Sequence, residues 1–297
     1  MKIYITGASG RLGKAVMRLL PQAIPINLRD DKLNLKKEIA DATHVIHLAG
    51  SLAFDNRKEL WQGNYELTKR VVAALPKNAC IVYASSISVY GKKLAKLPAN
   101  ELTPCYPDTE YAKSKYAAEQ LVASHGNYAA LRIGPIYGTD FSDYFKMIDI
   151  LKKGKIQIIG HGKNHVPFVH VDDVAKAIKN SLNVQNGVYL ISSNSLRQEE
   201  IFKLVCEKLG IVPPKRKINK NIAEILLRLT RPIRKLMGKG EFLTAEHINI
   251  LANDRVFDCS KAKKYLKFKP RKTEDGIKEI VDLYLESRKN KEKHILG

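Results

Sequence analysis

The first thirteen residues hold the feature that most restricts the fold. A short apolar run ends at Thr6, and Gly7, Gly10 and Gly13 follow it before an apolar-periodic stretch over 14–20. The first glycine permits a tight turn, the second a close approach of the backbone to a phosphate, and the third close packing of a helix on the strand. The order strand, glycine turn, helix predicts a loop that binds a dinucleotide pyrophosphate at the helix N-terminus.

Strand-like and helical runs alternate along the first two thirds of the chain. Several strand-like runs are rich in β-branched residues, as expected for strands buried on both faces. The predicted strands are 2–6, 23–28, 43–49, 80–85 and 129–133, and the predicted helices are 14–20, 64–74 and 109–124. This alternation predicts an α/β fold with a doubly wound parallel sheet. Pro25 removes a hydrogen-bond donor from the second strand, so we expect it at that strand's start or on a bulge.

Composition excludes several classes of protein. With 44% apolar and 27% charged residues, the 297-residue chain is globular rather than disordered. No apolar stretch approaches the roughly 20 residues that a membrane-spanning helix needs. A strand-like run begins at residue 2, so we expect no signal peptide. The four cysteines form no Cys-x-x-Cys pair, which argues against a disulfide framework or a zinc ribbon. We therefore expect a cytoplasmic protein.

The residues after the second predicted strand bear on cofactor choice. An acidic side chain about 20 positions beyond the first glycine normally binds the ribose hydroxyls of NAD. Asn27 stands there instead, with Arg29 close by and Arg11 in the glycine loop. An amide and arginines suit a 2′-phosphate, so the sequence favours NADP over NAD. In the alternative interpretation Arg29 is a solvated cation, and Asp30 or Asp31 is the acidic side chain that binds the ribose hydroxyls.

Tyr111 and Lys115 are the candidate acid/base pair. Their i, i+4 spacing on a predicted helix places them one turn apart on the same face. A phenol with its ordinary pKa of about 10 is a poor base at neutral pH, and a nearby ammonium favours the phenolate. Upstream, a strand ends in serines, and Ser86 lies at the carboxyl edge where parallel sheets bind ligands. A serine there can hold a substrate oxygen while the tyrosine transfers a proton.

The motifs together resemble the extended short-chain dehydrogenase/reductase family, also called the NAD-dependent epimerase/dehydratase family. They run in that family's order over nearly the whole chain. The matching segments are Thr6 to Gly13, His47 to Gly50, Asn64 to Thr68, Ser85 to Gly91, Tyr111 with Lys115, Leu131 to Gly138, Phe168 to Asp173 and Asp258 to Pro270.

The resemblance implies a Rossmann-like doubly wound parallel sheet with a smaller, mostly helical C-terminal substrate lobe. It assigns residues 1–133 and 166–184 to the NAD(P)-binding domain, and 134–165 and 185–297 to the substrate lobe. Ser86, Tyr111 and Lys115 match the catalytic set. The cofactor would contact Gly7, Ser9, Gly10, Arg11, Leu12, Gly13, Asn27, Arg29, Leu48, Ala49, Gly50, Ser85, Tyr111, Lys115, Ile133 and Ile136.

Two departures from family patterns narrow the chemistry. Sugar-nucleotide 4,6-dehydratases carry Thr-Asp-Glu where this chain has Ser86-Ile87-Ser88, so the acids needed for elimination are missing. Many nucleotide-sugar enzymes have a diphosphate-binding asparagine where Pro135 stands. That proline, with the segments beginning at Phe242 and Asp258, looks more like the carbonyl reductases and the enzymes similar to 3β-hydroxysteroid dehydrogenases. A substrate with a hydrophobic body is therefore favoured over a nucleotide sugar.

Four further features have structural as well as functional interpretations. The histidines and aspartate at 161, 165, 170 and 172 lack the spacing of a zinc site, so we expect no metal. Cys105 could border the substrate but fits a structural loop cysteine better. Segment 219–239 mixes apolar residues with cations. It could cover a hydrophobic substrate or contact a membrane, but packing within its own lobe is favoured. The net charge of +21 fits solvated lysines, and no nucleic-acid partner is expected.

The sequence therefore predicts an NAD(P)-dependent oxidoreductase that moves a hydride between nicotinamide and a secondary alcohol or ketone. Alternatives are a nucleotide-sugar 4-epimerase and, without catalysis, a scaffold that holds cofactor or binds an anionic surface. The expected partners are a small-molecule substrate and a second copy of the chain in a homodimer.

Overall fold

A computed structural model describes residues 1–30, 32–54, 56–138, 143–184, 186–236 and 244–296. Chain contacts group them into two units. Unit 1 contains residues 1–136, 171–192 and 257–270, and unit 2 contains 137–170, 193–256 and the residues from 271 onward. The sequence-based division differs from this grouping in four places. It assigned 134–136, 186–192 and 257–270 to the substrate lobe, and 166–170 to the cofactor domain.

The secondary structure follows the expected alternation in unit 1. The strands are β1 (Ile3–Thr6), β2 (Ile24–Ile26), β3 (His44–His47), β4 (Cys80–Ser86), β5 (Tyr128–Ile133), β6 (Ile136–Tyr137), β7 (Ile158–Ile159), β8 (His165–Val166), β9 (Val169–His170), β10 (Gly187–Ile191), β11 (Leu196–Arg197) and β12 (Lys217–Ile218). The helices are α1 (Arg11–Leu19), α2 (Leu35–Glu38), α3 (Arg57–Trp61), α4 (Leu67–Ala74), α5 (Glu110–Ser124), α6 (Asp143–Lys152), α7 (Val171–Asn180), α8 (Gln198–Leu209), α9 (Lys220–Leu236), α10 (Ala245–Ala252), α11 (Ser260–Tyr265) and α12 (Thr273–Leu296). A π-helical turn (Gln62–Glu66) joins α3 to α4, and 3₁₀ turns cover Ile87–Tyr90 and Ser181–Asn183.

Unit 1 is built on a six-stranded parallel sheet in the order β10-β5-β4-β3-β1-β2. The chain moves from β1 to β2 on one side and from β3 through β5 on the other, so the winding reverses between β1 and β3. This is the topological switch point where open α/β sheets bind ligands, beyond the carboxyl ends of the strands. The predicted α/β, Rossmann-like doubly wound sheet is confirmed.

Three local details differ from the sequence-based expectations. Pro25 lies in the middle of β2 opposite Ile5, neither at its start nor on a bulge. A proline is tolerated there because β2 is the edge strand and needs ladder hydrogen bonds on one side only. Of the helix expected over 64–74, residues 67–74 form α4, whereas 64–66 belong to the π turn. Residues 187–191 form β10, which pairs with β5.

Unit 2 is mostly helical, as expected. Its two-stranded pairs are β8 with β11 and β7 with β12, and the main helices are α6, α8, α9, α10 and α12. One apolar cluster joins α6 to α12 through Ile148, Val281 and Tyr284. Another joins α9 to α10 through Ala223 and Ile248. Among the described residues, no helix combines the length and apolarity that crossing a bilayer requires.

A buried ion pair fastens α5 to the sheet of unit 1. The Glu119 carboxylate, 1% exposed, accepts hydrogen bonds from the Arg132 guanidinium of β5 at 2.6 and 3.2 Å. The carboxylate also accepts a hydrogen bond from the Ser85 hydroxyl on β4 at 2.5 Å. Arg132 in turn donates to the Tyr90 hydroxyl at 2.7 Å and lies over the ring of that tyrosine. One carboxylate therefore connects α5 to two neighbouring strands.

Replacing this carboxylate should destabilise the protein strongly. Glu119→Gln leaves the Arg132 charge buried without its partner, and breaking a buried pair in this way costs about 3–5 kcal/mol of unfolding free energy. Glu110→Gln changes a carboxylate on the same helix that is 33% exposed and paired with the exposed Arg57 and Lys113. The amide oxygen can still accept the Trp61 N–H, so this change should cost less than about 1 kcal/mol. Urea denaturation of both variants measures the difference, and equal small losses would contradict the role given to Glu119.

Candidate active site

The glycine loop lies at the switch point and needs its glycines. Gly7 has a φ of +73°, and a Cβ there would stand 2.7 Å from the backbone nitrogen of Ala49. A Cβ on Gly13 would stand 2.1 Å from the carbonyl oxygen of Gly7. At Gly10 the nearest atom would be 3.3 Å away. Close backbone contact thus requires glycine at positions 7 and 13, while the glycine between them leaves space above the loop.

Helix α1 follows the loop with an N-terminus suited to an anion. No side chain caps it, and its first turn contains no acidic residue. Backbone N–H groups and the helix dipole therefore favour a phosphate at this end. Ser9, Gly10 and Arg11 are exposed here, and Leu12 is half-buried. The glycine loop and the backbone N–H groups at the start of α1 fit the pyrophosphate of a dinucleotide.

A chain of polar side chains underlies the loop. The imidazole of His47 is fully buried, with Nδ1 2.7 Å from the Thr6 hydroxyl and Nε2 2.9 Å from the Thr68 hydroxyl. Burial, and then the charge on Lys115, lowers the pKa of His47 to about 3. This histidine therefore stays neutral and joins β1, β3 and α4. The Thr6 hydroxyl also accepts the N–H of Ala49 at 3.3 Å, which fixes the strand end that faces Gly7.

Asn64, in the π turn, fixes the loop after β3. Its amide oxygen accepts the N–H of Ser51 at 2.9 Å, and its amide nitrogen donates to the Ser51 carbonyl at 3.2 Å and to the Ser114 hydroxyl at 3.0 Å. A Cβ on Gly50 would lie 2.8 Å from the Asn64 oxygen. The side chain thereby holds the predicted cofactor segment Leu48–Gly50 in register with α5. Such π turns recur at functional sites.

Lys115 is buried beneath the sheet's carboxyl edge. Its ammonium donates to the carbonyl oxygen of Ala84 at 2.5 Å and lies 4.2 Å above the ring centroid of Tyr83. Burial lowers the pKa of Lys115 to about 7, while the carboxylate of Glu119 acts in the opposite direction. A lysine with this pKa changes its charge in the range where an enzyme works, which is typical of functional sites.

Tyr111 lies in the first turn of α5, which Thr109 caps by accepting the N–H of Ala112 at 3.1 Å. A helix that crosses between two parallel strands begins at their carboxyl edge, so the first turn is on the same side as the glycine loop. The phenol ring is half-buried and contacts Phe54 edge-on, with ring centroids 5.0 Å apart. Tyr111 and Lys115 therefore occupy successive turns of one helix, as the spacing predicts.

The two serines at the end of β4 differ in what they contact. Ser86 is buried, and its hydroxyl oxygen accepts the N–H of Ser88 at 3.1 Å, which starts the 3₁₀ turn. The hydroxyl proton of Ser86 can thus still be donated to a ligand. Ser85, a predicted cofactor contact, donates a hydrogen bond to the carboxylate of Glu119. Its hydroxyl belongs to the buried ion-pair network.

The remaining predicted cofactor residues lie at the ends of strands in unit 1. Ile26 pairs with Thr6, so Asn27 is the first residue beyond that edge. Asn27 is exposed, and its side-chain oxygen accepts the N–H of Arg29 at 3.2 Å. Ile133 ends β5 opposite Ser86. Arg29 and Asp30 are exposed, Ile136 is half-buried, and Asp31 and Phe242 lie outside the described residues.

The histidines named in the sequence have separate partners. His165 is 2.7 Å from the carboxylate of Asp254, His161 accepts the N–H of Lys163 at 3.1 Å, and His170 packs against the ring of Tyr137. Asp172 lies in the first turn of α7 and pairs with Arg18. Among the described residues no group of three or more His, Cys, Asp or Glu side chains could hold a metal ion.

Cys105 is half-buried, and burial raises the pKa of its thiol to about 11. Such a thiol is a poor nucleophile at neutral pH.

Several residues of this site were not singled out by the sequence reasoning. Phe54, Tyr83 and Glu119 carry no motif, and their roles arise from elements that meet only in the folded sheet. Asn64 and His47 do lie in matched segments. For His47, its place as a polar residue within an apolar run was a signal that it forms buried hydrogen bonds.

Comparison with known proteins decides the family. The protein-family model of the NAD dependent epimerase/dehydratase family matches residues 3–191. The chain belongs to this family. Two curated relatives illustrate its range. One is 3beta-hydroxysteroid-dehydrogenase/decarboxylase isoform 1 of Arabidopsis thaliana, 26% identical over 93% of this chain and 70% of that protein. Another is UDP-glucuronate 4-epimerase 1 of the same plant, 32% identical over 53% of this chain and 41% of that protein.

Solved structures with the epimerase/dehydratase fold superpose on nearly the whole chain. MoeE5 in complex with UDP-glucuronic acid and NAD matches with a TM-score of 0.73 and 21% identity, covering 97% of this chain and 100% of that one. RMD from Pseudomonas aeruginosa, complexed with NADPH, matches with a TM-score of 0.70 and 21% identity, covering 97% and 99%. At this identity the likeness shows the fold.

The lowered pKa of Lys115 predicts a pH dependence of stability in this family member. The unfolded chain keeps this lysine protonated up to a pKa near 10.4, whereas the folded chain releases the proton near 7. Between those values the unfolded state binds more protons, so this group makes stability rise with pH. The unfolding free energy of the wild type should therefore rise relative to Lys115→Met, by on the order of 1 kcal/mol per pH unit between about pH 7 and 9.

Chemical denaturation at several pH values checks this. Lys113→Met replaces an exposed lysine of the same helix and should leave the pH dependence of the wild type unchanged. Parallel curves for the wild type and Lys115→Met would contradict a strongly lowered pKa.

Proposed function

We propose that the chain is an NAD(P)-dependent oxidoreductase acting at a secondary alcohol or ketone, with Tyr111 as acid/base. The observation that carries the proposal is the fully buried Lys115 ammonium one helical turn from Tyr111. A charge with no chemical use would be costly in this position, since burial strongly disfavours the ammonium. The same sheet edge carries the glycine loop and Ser86.

The residues of the site suggest how the proton would be handled. The Ser86 hydroxyl donates a hydrogen bond to the substrate oxygen, because its own oxygen already accepts the N–H of Ser88. Tyr111 gives its phenolic proton to that oxygen in reduction and takes it back in oxidation. When Lys115 is charged, its ammonium stabilises negative charge on the nearby phenolate. Phe54 covers one edge of the tyrosine ring and limits its movement.

The proposed cofactor site uses the glycine loop for the pyrophosphate and the segment Leu48–Gly50 beside the adenosine. Bound NAD(P) would supply or accept the hydride at its nicotinamide carbon. Tyr111, Lys115, Ile133 and Ile136 are proposed to line the nicotinamide side. The relatives include proteins solved with NAD and with NADPH, which supports a nicotinamide cofactor without distinguishing the two forms.

A second candidate is a 4-epimerase acting on a nucleotide sugar. UDP-glucuronate 4-epimerase 1 and MoeE5 support it, since these similar proteins are named or solved with UDP-sugars. An epimerase would use the same serine, tyrosine and lysine, but it would oxidise and re-reduce one carbon with no net change in cofactor. The relative named as a hydroxysteroid dehydrogenase/decarboxylase supports a hydrophobic substrate instead.

Removing the phenolic hydroxyl tests the proposed role of Tyr111. Tyr111→Phe keeps the ring against Phe54 but lacks the proton carrier, so kcat should fall by about 10² to 10⁴. Cofactor affinity should change by less than about twofold, because the proton carrier is not a main source of binding energy. Tyr116→Phe, five residues along the same helix, is the matched control and should keep wild-type turnover.

The assay supplies NADH or NADPH with secondary ketones and with UDP-sugars, and follows both cofactor absorbance and product by nuclear magnetic resonance. Net cofactor consumption supports the oxidoreductase, whereas an epimer formed without net consumption supports the 4-epimerase. Wild-type kcat in Tyr111→Phe on any accepted substrate would contradict the proposed acid/base.

Asn27 and Arg29 favour NADP in this proposal. Their amide and guanidinium groups can bind a 2′-phosphate through charge-assisted hydrogen bonds. Calorimetric titration should give an affinity for NADP about tenfold above that for NAD. Arg29→Ala should remove that preference, and Lys36→Ala, which deletes an exposed cation on α2, should preserve it. Equal or tighter binding of NAD by the wild type would assign the selective role to an acidic neighbour such as Asp30.

A further inference from the structure

Helix α9 in unit 2 presents a row of apolar side chains to solvent. These residues follow i, i+3, i+4, i+7 spacing, which places them on one face of the helix. The α9 apolar row consists of Ile222 (53% exposed), Ile225 (53%), Leu226 (47%) and Leu229 (68%). Single exposed apolar residues are ordinary, but four on one helical face form a contiguous patch of the kind that marks an interaction surface.

The row is not the side of α9 that packs on its own unit. Ala223 is 8% exposed, and with Leu227 it contacts the cluster of Ile159 and Ile248. Steps of about 100° per residue place these two contacts on a different side of the helix from the α9 apolar row. The prediction that segment 219–239 packs within its own lobe therefore explains the side of α9 that carries Ala223 and Leu227, but it does not explain the exposed apolar row. Residues 237–243 lie outside the part of the chain that the structure describes.

The surroundings of the α9 apolar row are strongly cationic. Residues 215–230 contain five lysines and arginines and one acidic residue, Glu224. That glutamate is already paired with Lys220 at 3.9 Å. The basic run Lys215–Lys217 directly before the helix is exposed, and so is Arg228 beside the row. An occupant of this surface must therefore accept apolar side chains and bring negative charge.

We propose that the α9 apolar row docks on the surface of an anionic lipid bilayer. The four apolar side chains would enter the boundary between headgroups and acyl chains, while the nearby lysines and arginines contact lipid phosphates. This is the arrangement of an amphipathic helix that lies in the membrane interface without crossing it. The proposal concerns where the protein works and is independent of the hydride chemistry assigned to unit 1.

Other occupants match fewer of these features. A second copy joined through the same row would bring two strongly cationic segments together, in a chain whose net charge is already +21. A nucleic acid would satisfy the cations, but its phosphates would face the apolar row. An anionic bilayer satisfies both the apolar and the cationic parts.

Vesicle binding of the full-length protein tests the proposal. Vesicles of phosphatidylcholine alone are compared with vesicles that also contain phosphatidylglycerol, by flotation at low and at high salt. The protein should bind the anionic vesicles at least about tenfold more strongly, and salt should weaken this binding. Leu226→Glu with Leu229→Glu should lower binding to anionic vesicles about tenfold or more, because both residues leave the apolar phase.

Leu102→Glu is the control for the added charge. Leu102 is 90% exposed in unit 1, so this change removes the same side chain and adds the same charge at a position that is not part of α9. It should leave vesicle binding close to that of the wild type. All three positions are exposed, and thermal unfolding of each variant verifies that its fold is intact.

Three results would overturn the proposal. The first is absence of binding to anionic vesicles. The second is equal weakening per glutamate by the α9 changes and by Leu102→Glu, which would indicate attraction by net charge alone. The third is a dimer in sedimentation velocity that the α9 changes dissociate without any vesicle binding, which would assign the row to a second copy. None of these results bears on cofactor binding by unit 1.

Discussion

The carboxylate of Glu119 is the contact on which the site geometry most depends. It receives Arg132 from β5 and Ser85 from β4, and all three side chains are almost completely buried. Because both neighbouring strands bind the same helix residue, α5 can neither slide nor rotate on the sheet without breaking charged hydrogen bonds. The position of everything else on α5, including Tyr111 and Lys115, follows from that attachment.

Burial then sets the chemistry of the groups around α5. Lys115 is surrounded by the Tyr83 ring and the Ala84 carbonyl, and the low dielectric lowers its pKa to about 7. The same charge helps to keep His47 neutral, so that its ring can bridge Thr6 and Thr68 below the glycine loop. The Tyr83 ring stacks against His47 and lies under the Lys115 ammonium, so it connects the loop to the acid/base pair within unit 1. A change at one of them is expected to affect the other.

The sequence predicts the parts of this site whose constraints lie within one short segment. Gly7 and Gly13 could be assigned because a tight turn and a close helix contact each demand glycine a few residues apart. Tyr111 and Lys115 could be paired because helical spacing alone places them on one face. Glu119, Arg132 and Ser85 could not, since they meet only after the strands have taken their order in the sheet. Pro25 was misplaced for a related reason, because the edge position of β2 is a property of the whole sheet. The π turn at Asn64 and the exposure of Leu229 likewise depend on packing that local periodicity does not record.

We propose that this member of the epimerase/dehydratase family transfers a hydride at a substrate carbon while Tyr111 moves the proton. The most direct measurement uses NAD(P)H with deuterium at both hydrogen positions of nicotinamide C4, and locates the label in the product of an accepted ketone substrate by nuclear magnetic resonance. We expect deuterium on the carbon that becomes the alcohol, and no labelled product from Tyr111→Phe in the same time. Product that forms without deuterium at that carbon would contradict the proposal.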